Sequence, residues 1–256
     1  MLLPQPMAHG RLVSRYKRFF ADVVMDDGTA LTAHCPNPGA MLGLNTPGLG
    51  VWLSKSDVPK RKLAWTLELV EDGGGLAGVN TLHQRLSTSQ SPLVGVNTMR
   101  ANGLAAEALA NGGIAELSGY TSVRREVRYG AASRVDFLLE AAERRPCWLE
   151  VKSVTLHRGG GLAEFPDCAS ARGGRHFAEL AAMVVAGHRA AVLFVVQRGD
   201  CDRFALANDL DPTLAEAVIR AETRGVEVLA YECDITPDRL SVAGRIAYER
   251  ADGRPS

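Results

Sequence analysis

A chain of 256 residues, 46% hydrophobic and with no net formal charge, is long enough for one large domain or two modest ones with packed cores. No apolar run approaches the roughly 20 residues of a membrane span, and Met1 to His9 lack both the charged start and the apolar centre of a secretion signal, so a soluble cytoplasmic protein with no membrane partner is expected. The five cysteines are odd in number and scattered, with no C-x-x-C pair, which supports neither a disulfide framework nor a zinc site.

Charge is unevenly spread. Met1 to Lys62 hold eight Lys or Arg against four Asp or Glu, gathered as Arg11, Arg15, Lys17, Arg18 and as Lys55, Lys60, Arg61, Lys62. Exposed clusters of this kind attract a phosphate backbone through counterion release, although they also occur as merely solvated strand ends and loops. Leu12 to Met25 and Leu31 to Cys35 read as strands flanking the Asp26-Asp27-Gly28 turn; Pro36 to Gly50 interrupts, and Leu49 to Ser54 and Lys62 to Glu71 add two more. Residues 1–80 are thus expected to form an all-β barrel of the OB type, a fold that commonly holds nucleic acid with a basic groove and stacking aromatics. Tyr16, between Arg15 and Lys17, is the candidate aromatic contact, since most aromatics of a small barrel belong in its core. In His34-Cys35-Pro36-Asn37 the adjacent strand side chains point to opposite faces, which opposes activation of Cys35 by His34 and predicts a structural thiol.

Leu76 to Thr81, LAGVNT, and Leu93 to Thr98, LVGVNT, are near copies, read as a local duplication that inserts a loop of about residues 72–94 before a second domain, 81–256. That domain begins with helical composition over Asn102 to Ala110 and a loose strand over Ser122 to Tyr129. Ser133 to Ser153, SRVDFLLEAAERRPCWLEVKS, then reads as a hairpin: a strand Arg134 to Glu140, a charged loop Ala141 to Pro146 and a strand Cys147 to Ser153. With the turn centred near Glu143, antiparallel pairing sets Asp136 opposite Glu150, and alternation puts Lys152 on the face of Glu150. Asp136 and Glu150 offer hard oxygen ligands of the kind Mg²⁺ or Mn²⁺ takes while water and a substrate phosphate fill the remaining shell. Lys152 can hold or deprotonate an attacking water, or stabilise charge building on phosphorus. On spacing alone the three residues read as readily as a surface salt bridge. Downstream come the long loop Thr155 to Gly174, expected either to close over DNA or to serve as a connector, and a helix from Arg175 to Ala186. A buried strand Ala190 to Gln197, a helix from Pro212 to Arg224 entered through Asp211-Pro212, and a strand Val226 to Cys233 complete the reading.

The order α-β-β-β-α-β is that of the restriction-endonuclease-like, PD-(D/E)xK core, whose acidic and basic residues sit on the second and third strands. Asp136 and Glu150/Lys152 stand there, with Val135 where many members carry Pro. Longer stretches, among them RYKRFFADV, TAHCPNPGAMLGL, VWLSKSDVPKRKL, GVNTMRANGL, GYTSVRREVRYG, SRVDFLLE, LEVKSVTL, FPDCASARGGRHFAEL and LFVVQR, together resemble the bacterial and archaeal sugar fermentation stimulation protein family over nearly the whole chain. That resemblance implies an OB-fold domain joined to a mixed-sheet α/β nuclease-like domain, DNA binding, and a regulatory role in sugar metabolism. It also implies that Glu107, an acid of the first helix, assists at the metal site. On the later helix His176 and Glu179 share a face, preceded by Arg172 and Arg175, and Gln197 ends the apolar strand where a polar terminus can face the site.

Two functions follow. The first is a Mg²⁺-dependent DNA nuclease with Asp136 and Glu150 on the metal, Lys152 positioning water and Glu107 assisting. The second is a non-catalytic DNA-binding regulator of sugar (maltose) metabolism genes on a nuclease scaffold. In both, Arg15, Tyr16, Lys17, Arg18, Lys60, Arg61, Lys62, Arg175, His176 and Gln197 are the DNA-binding candidates. A complete D…E-x-K set favours catalysis, and RNA stays open as a substrate because a barrel tells the sugars apart only through contacts to the 2′-hydroxyl.

Overall fold

The computed structural model describes residues 1–73, 91–129, 133–169 and 173–250. The first LAGVNT copy and Arg172 lie outside them. Strands β1 (Met7–Tyr16), β2 (Phe20–Met25), β3 (Ala30–His34), β4 (Gly50–Lys55), β5 (Trp65–Glu71) and β6 (Leu93–Gly95) form a sheet ordered β3-β2-β1-β4-β5-β6. Pairing of His34 with Thr66 joins β3 to β5 and closes a five-strand barrel around Leu12, Val23, Val51, Leu53 and Leu67. Two expectations change here. Leu12 to Met25 is two strands, because Lys17 and Arg18 take left-handed backbone (φ 47° and 62°) and turn the chain so that Tyr16 pairs with Phe20. And β6, assigned from the sequence to the second domain, belongs to the barrel sheet, with Val94 and Val96 in the barrel core. The barrel therefore runs past position 80.

The second domain contains α1 (Arg100–Ala110), β7 (Ser122–Tyr129), β8 (Ser133–Ala141), β9 (Arg144–Val154), β10 (Leu156–His157), β11 (Leu162–Phe165), α2 (Gly173–Val185), β12 (Arg189–Val196), β13 (Arg203–Leu206), α3 (Pro212–Thr223), β14 (Glu227–Ile235), β15 (Leu240–Arg245) and β16 (Ala247–Glu249). Its main sheet is ordered β15-β14-β12-β9-β8-β7, with β12 parallel to β9 and β14 and the outer pairs antiparallel. Every residue of Ala190 to Val196 is buried, as a central strand covered on both faces requires. On one face α1 packs Leu104 and Ala105 with Phe137, Leu149 and Leu193, joined by Leu69 and Trp52 of the barrel. On the other, α2 and α3 pack Phe177, Leu180, Leu214 and Val218 against Val192 and Phe194.

The hairpin is tighter than expected: Ala141 pairs with Arg144, so Arg144 to Pro146 are strand and only Ala142 and Glu143 turn. The long loop after Lys152 is not structureless either. It contributes β10 and β11, and β11 runs parallel to β13 in a four-stranded sheet with β16. Among the described residues no helix is long and apolar enough to cross a membrane.

Candidate active site

Phe137 pairs with Leu149, which brings Asp136 to the position opposite Glu150. There the two strands cease to pair through backbone. Val135 enters the α2-side core and Phe137 the α1-side core, so β8 changes face at Asp136. The Asp136 carboxylate fills the opening: Oδ2 accepts the Val151 backbone N–H at 2.7 Å, and Oδ1 accepts Asn102 Nδ2 of α1, also at 2.7 Å. One residue along β9, Glu150 is 3% exposed, and its Oε1 accepts from Lys152 Nζ and from His176 Nδ1, each at 2.6 Å. Ser133 Oγ donates to Glu179 Oε1 at 2.7 Å, tying the start of β8 to α2. Lys152 and His176 keep 19% and 33% side-chain exposure, which opens the cluster to solvent on that side.

The two carboxylates are driven apart electrostatically. Burial and then the charge of Glu150 raise the Asp136 pKa above its ordinary value, against the opposing Val151 and Asn102 hydrogen bonds and the Lys152 charge. Burial would raise Glu150 as well, but the His176 hydrogen bond and the Lys152 charge outweigh it and hold Glu150 below the ordinary value. Tyr129 is kept protonated by burial and by the negative charge of Glu150, Glu179 and Asp136, which marks it as a neighbour of all three. Three oxygens here, Glu150 Oε2, Glu179 Oε2 and the Tyr129 hydroxyl, are buried without a hydrogen-bond partner among the described residues. Buried oxygens ordinarily have a hydrogen-bond partner, so these three leave acceptor capacity to which a water or a cation can bind.

The structure brings Asp136, Glu150 and Lys152 together and adds His176 to them, but it does not bring Glu107. That carboxylate is 46% exposed and pairs with the Met1 amine at 2.8 Å, while the α1 residue at the site is Asn102. Gln197 is fully buried and cannot touch DNA. Its Nε2 donates to Ser153 Oγ at 2.7 Å, and its backbone carbonyl accepts from Gly95 N, where β6 meets the end of β12. A side chain at Gly95 would clash there, since an added Cβ would lie 2.9 Å from Gln197 Oε1.

Arg15 acts as a clamp within the barrel. Its guanidinium donates to the carbonyls of Arg18, Asn37, Gly39 and Ala40 and so pins the Pro36–Met41 loop. Cys35 is fully buried, packs on Met41 and has its pKa raised by burial, consistent with a structural thiol. Tyr16 stacks on Phe20 at 5.4 Å, and Lys17 and Arg18 are exposed at the β1–β2 turn, although Arg18 donates to the Pro38 carbonyl at 2.7 Å. Lys60 and Lys62 project from an exposed loop, Arg61 donates to Thr66, and Arg175 is exposed at the start of α2.

Two hollows border the joint between the domains. One, of about 250 Å³, is lined by Asn37, Pro38 and Gly39 of the barrel and by Ser153, Thr155 and Asp167 beside the candidate site. The other, of about 500 Å³, lies between His34, Lys55, Arg61 and Thr66 of the barrel and Met99 and Arg100 at the head of α1. Among the described residues the trio of acidic and histidine groups whose ligand atoms fall within 4.8 Å of one another is Asp72, His157 and Asp200. By ligand type that trio suits a cation, but Arg198 already pairs with both carboxylates, at 2.6 and 2.7 Å.

Residues 13–79 match the family described as the SfsA N-terminal OB domain, and residues 99–239 the Sugar fermentation stimulation protein RE domain. A Sugar fermentation stimulation protein homolog of Caulobacter vibrioides is 53% identical over 251 residues, 98% of each chain. One of Rhodospirillum centenum is 50% identical over 242 residues, 94% of this chain and 97% of the other. Among solved structures, Pyrococcus furiosus SfsA in complex with Ca²⁺ shares the fold with a TM-score of 0.80 and 26% identity, covering 98% of both chains. Both domains match in order and the relatives align from end to end, so the chain belongs to the sugar fermentation stimulation protein family.

Proposed function

We propose that the protein is a divalent-metal-dependent nuclease that hydrolyses phosphodiester bonds in DNA. The observation that carries this reading is Glu150 Oε2, a buried carboxylate oxygen without a partner, next to an Asp136 whose pKa the same charge raises. A cation held by Asp136 and Glu150 would satisfy the orphan and relieve the repulsion. Their hard oxygens suit Mg²⁺ or Mn²⁺, and the Ca²⁺ complex of the archaeal relative fits oxygen ligation in this fold. Once bound, such an ion supplies Lewis-acid polarisation of a phosphoryl oxygen and a more acidic water.

The chain supplies the rest. Lys152, anchored to Glu150 by one N–H, has two further donors to aim at the attacking water or the phosphate. Asn102 and the Val151 amide fix the plane of Asp136, and His176 fixes that of Glu150. The exposed basic residues of the barrel, Lys17, Lys60 and Lys62, bear on the DNA backbone.

A second reading, a DNA-binding regulator of sugar genes without catalysis, draws on one specific feature. Glu150 Oε1 accepts from both Lys152 and His176, and both Asp136 oxygens already hold donors, so the set is bonded within itself. Incubation of wild type, Asp136→Ala and Lys152→Ala with labelled single- and double-stranded DNA, in Mg²⁺, Mn²⁺ or chelator, separates the two. The nuclease reading expects metal-dependent cleavage that both variants lose while retaining DNA affinity. Salt-sensitive binding with no cleavage in either metal leaves the regulator.

A further inference from the structure

The second domain carries a basic surface that lies apart from the barrel clusters. β7 is an edge strand, and Arg124, Arg125 and Arg128 on it and Arg134 on β8 are all exposed. Arg124 pairs with Glu140 at 3.3 Å, but no carboxylate among the described residues pairs with Arg125, Arg128 or Arg134. Elsewhere in this domain Arg158, Arg189, Arg198, Arg203 and Arg245 are each matched to an acid, whereas Arg144, Arg145, Arg175, Arg224 and Arg239 have no acid partner among the described residues, so it is the shared face that sets the β7–β8 group apart.

Arg125, Arg128 and Arg134 share one face. Val127 and Tyr129 turn toward the α2-side core, and so does Val135, which pairs with Val127. Arg128 and its direct partner Arg134 alternate with these residues and therefore point to the α1 side. Arg125 lies there too, 5.3 Å over the ring of Phe137, a residue of the α1-side core. Positions 125 and 128 would normally fall on opposite faces. They coincide because Glu126 between them has left-handed backbone (φ 52°), rare for a residue with a side chain. Glu126 sits at the register position of Asp136, so the same break in alternation that opens the candidate site also aligns the arginines beside it.

An edge strand needs some charge to discourage pairing with another sheet. That need does not explain two like charges set directly opposite each other, which costs stability unless an anion lies between them. The barrel packs on this same α1 side, through Leu69 and Trp52. We propose that Arg125, Arg128 and Arg134 form a phosphate track: the backbone of a nucleic acid strand crosses the β7 edge on the α1 side and passes from the barrel to Asp136. The inference rests on the nucleic-acid reading above and names the surface that holds the strand.

The test follows the affinity of labelled single- and double-stranded DNA across a salt series in chelator, for wild type and for the triple variants Arg125→Gln/Arg128→Gln/Arg134→Gln and Arg125→Lys/Arg128→Lys/Arg134→Lys. Arg220→Gln, whose guanidinium is exposed on α3 and bonded to Glu216, is the control. The track predicts that the salt slope of log affinity falls by roughly 2–3 in the Gln variant, returns in the Lys variant and is unmoved in the control. A Gln variant that keeps the wild-type slope overturns the track and leaves DNA binding standing. Wild type that binds no DNA at low salt overturns the nucleic-acid reading and the track with it. A thermal melt of each variant accompanies the titration, and the Lys variant, which preserves shape and charge, covers the case in which the Gln variant fails to fold.

Discussion

Asp136 and Glu150 are neighbours across a hairpin, yet their surroundings assign them different parts. Glu150 is stabilised as an anion by two cationic or donor side chains, whereas Asp136 is oriented mainly by neutral amides. If the pair holds a divalent cation as proposed, the amide side chain of Asn102 orients one ligand without touching the metal. Asn102→Ala is expected to weaken divalent-cation binding about 10–100-fold, the usual effect of losing a partner that orients a ligand. Glu107→Gln is expected to leave it unchanged, because that carboxylate is engaged with the Met1 amine. Calorimetric titration with Mn²⁺ checks both, and a Glu107→Gln defect equal to that of Asn102→Ala would return the helix acid to the site. The contrast also shows what one sequence can carry. The Asp136, Glu150 and Lys152 set is legible because hairpin register and two-residue alternation are local rules. Asn102 stands in the GVNTMRANGL stretch, but which side of a helix faces a site depends on how the helix docks, and no local rule supplies that.

At the level of elements, the strands and helices with strong periodicity or punctuation lie where their residues put them. Asp211-Pro212 starts α3: the Asp211 side chain accepts from Leu214 N at 2.9 Å, and Pro212 needs no donor in the first turn. Asp211→Ala is expected to lower stability by about 1 kcal/mol in urea unfolding while DNA affinity stays at the wild-type value, because α3 packs on the α2 face rather than at the barrel. The elements with no local signature are those whose partners are distant in the chain. β10 and β11 are short and irregular until β13 lies beside them, and β6 joins the barrel only because β5 leaves an edge open to it. Lys17 and Arg18 adopt a conformation that β-hairpin turns usually give to Gly or Asn, so no turn residue announced the β1–β2 reversal. Gln197 misled for a related reason. A polar residue after an apolar run suggests a surface, yet the barrel covers the end of β12 and makes Gln197 a buried joint.

For the molecule as a whole, the two domains are held by polar contacts buried between them. Arg100 of α1 forms a two-point ion pair with Glu68 of β5, itself 2% exposed and bonded to Ser54 and Asn97. Arg198, just past β12 and 1% exposed, reaches Asp72 at the end of the barrel, Asp200, and the carbonyl of Thr155. A buried network of this kind tolerates poorly the loss of one member, because the charge left behind has no water to replace its partner. Arg198→Met is expected to cost about 3–5 kcal/mol and to lower the melting temperature by on the order of 10 °C. The same network sets an acid limit. Burial alone would raise the Asp200 pKa, but the Arg198 hydrogen bond and charge outweigh it and hold the group below the ordinary carboxylate value. A carboxylate depressed on folding contributes stability that is complete above its unfolded pKa and is lost as the pH falls through its folded pKa. Melting curves between neutral pH and about pH 3 should accordingly fall more steeply for wild type than for Asp200→Asn, which begins less stable at neutral pH and has that proton no longer to gain. Parallel acid limbs for the two proteins would assign the acid sensitivity to other carboxylates and reduce the Arg198 joint to a pH-independent contact.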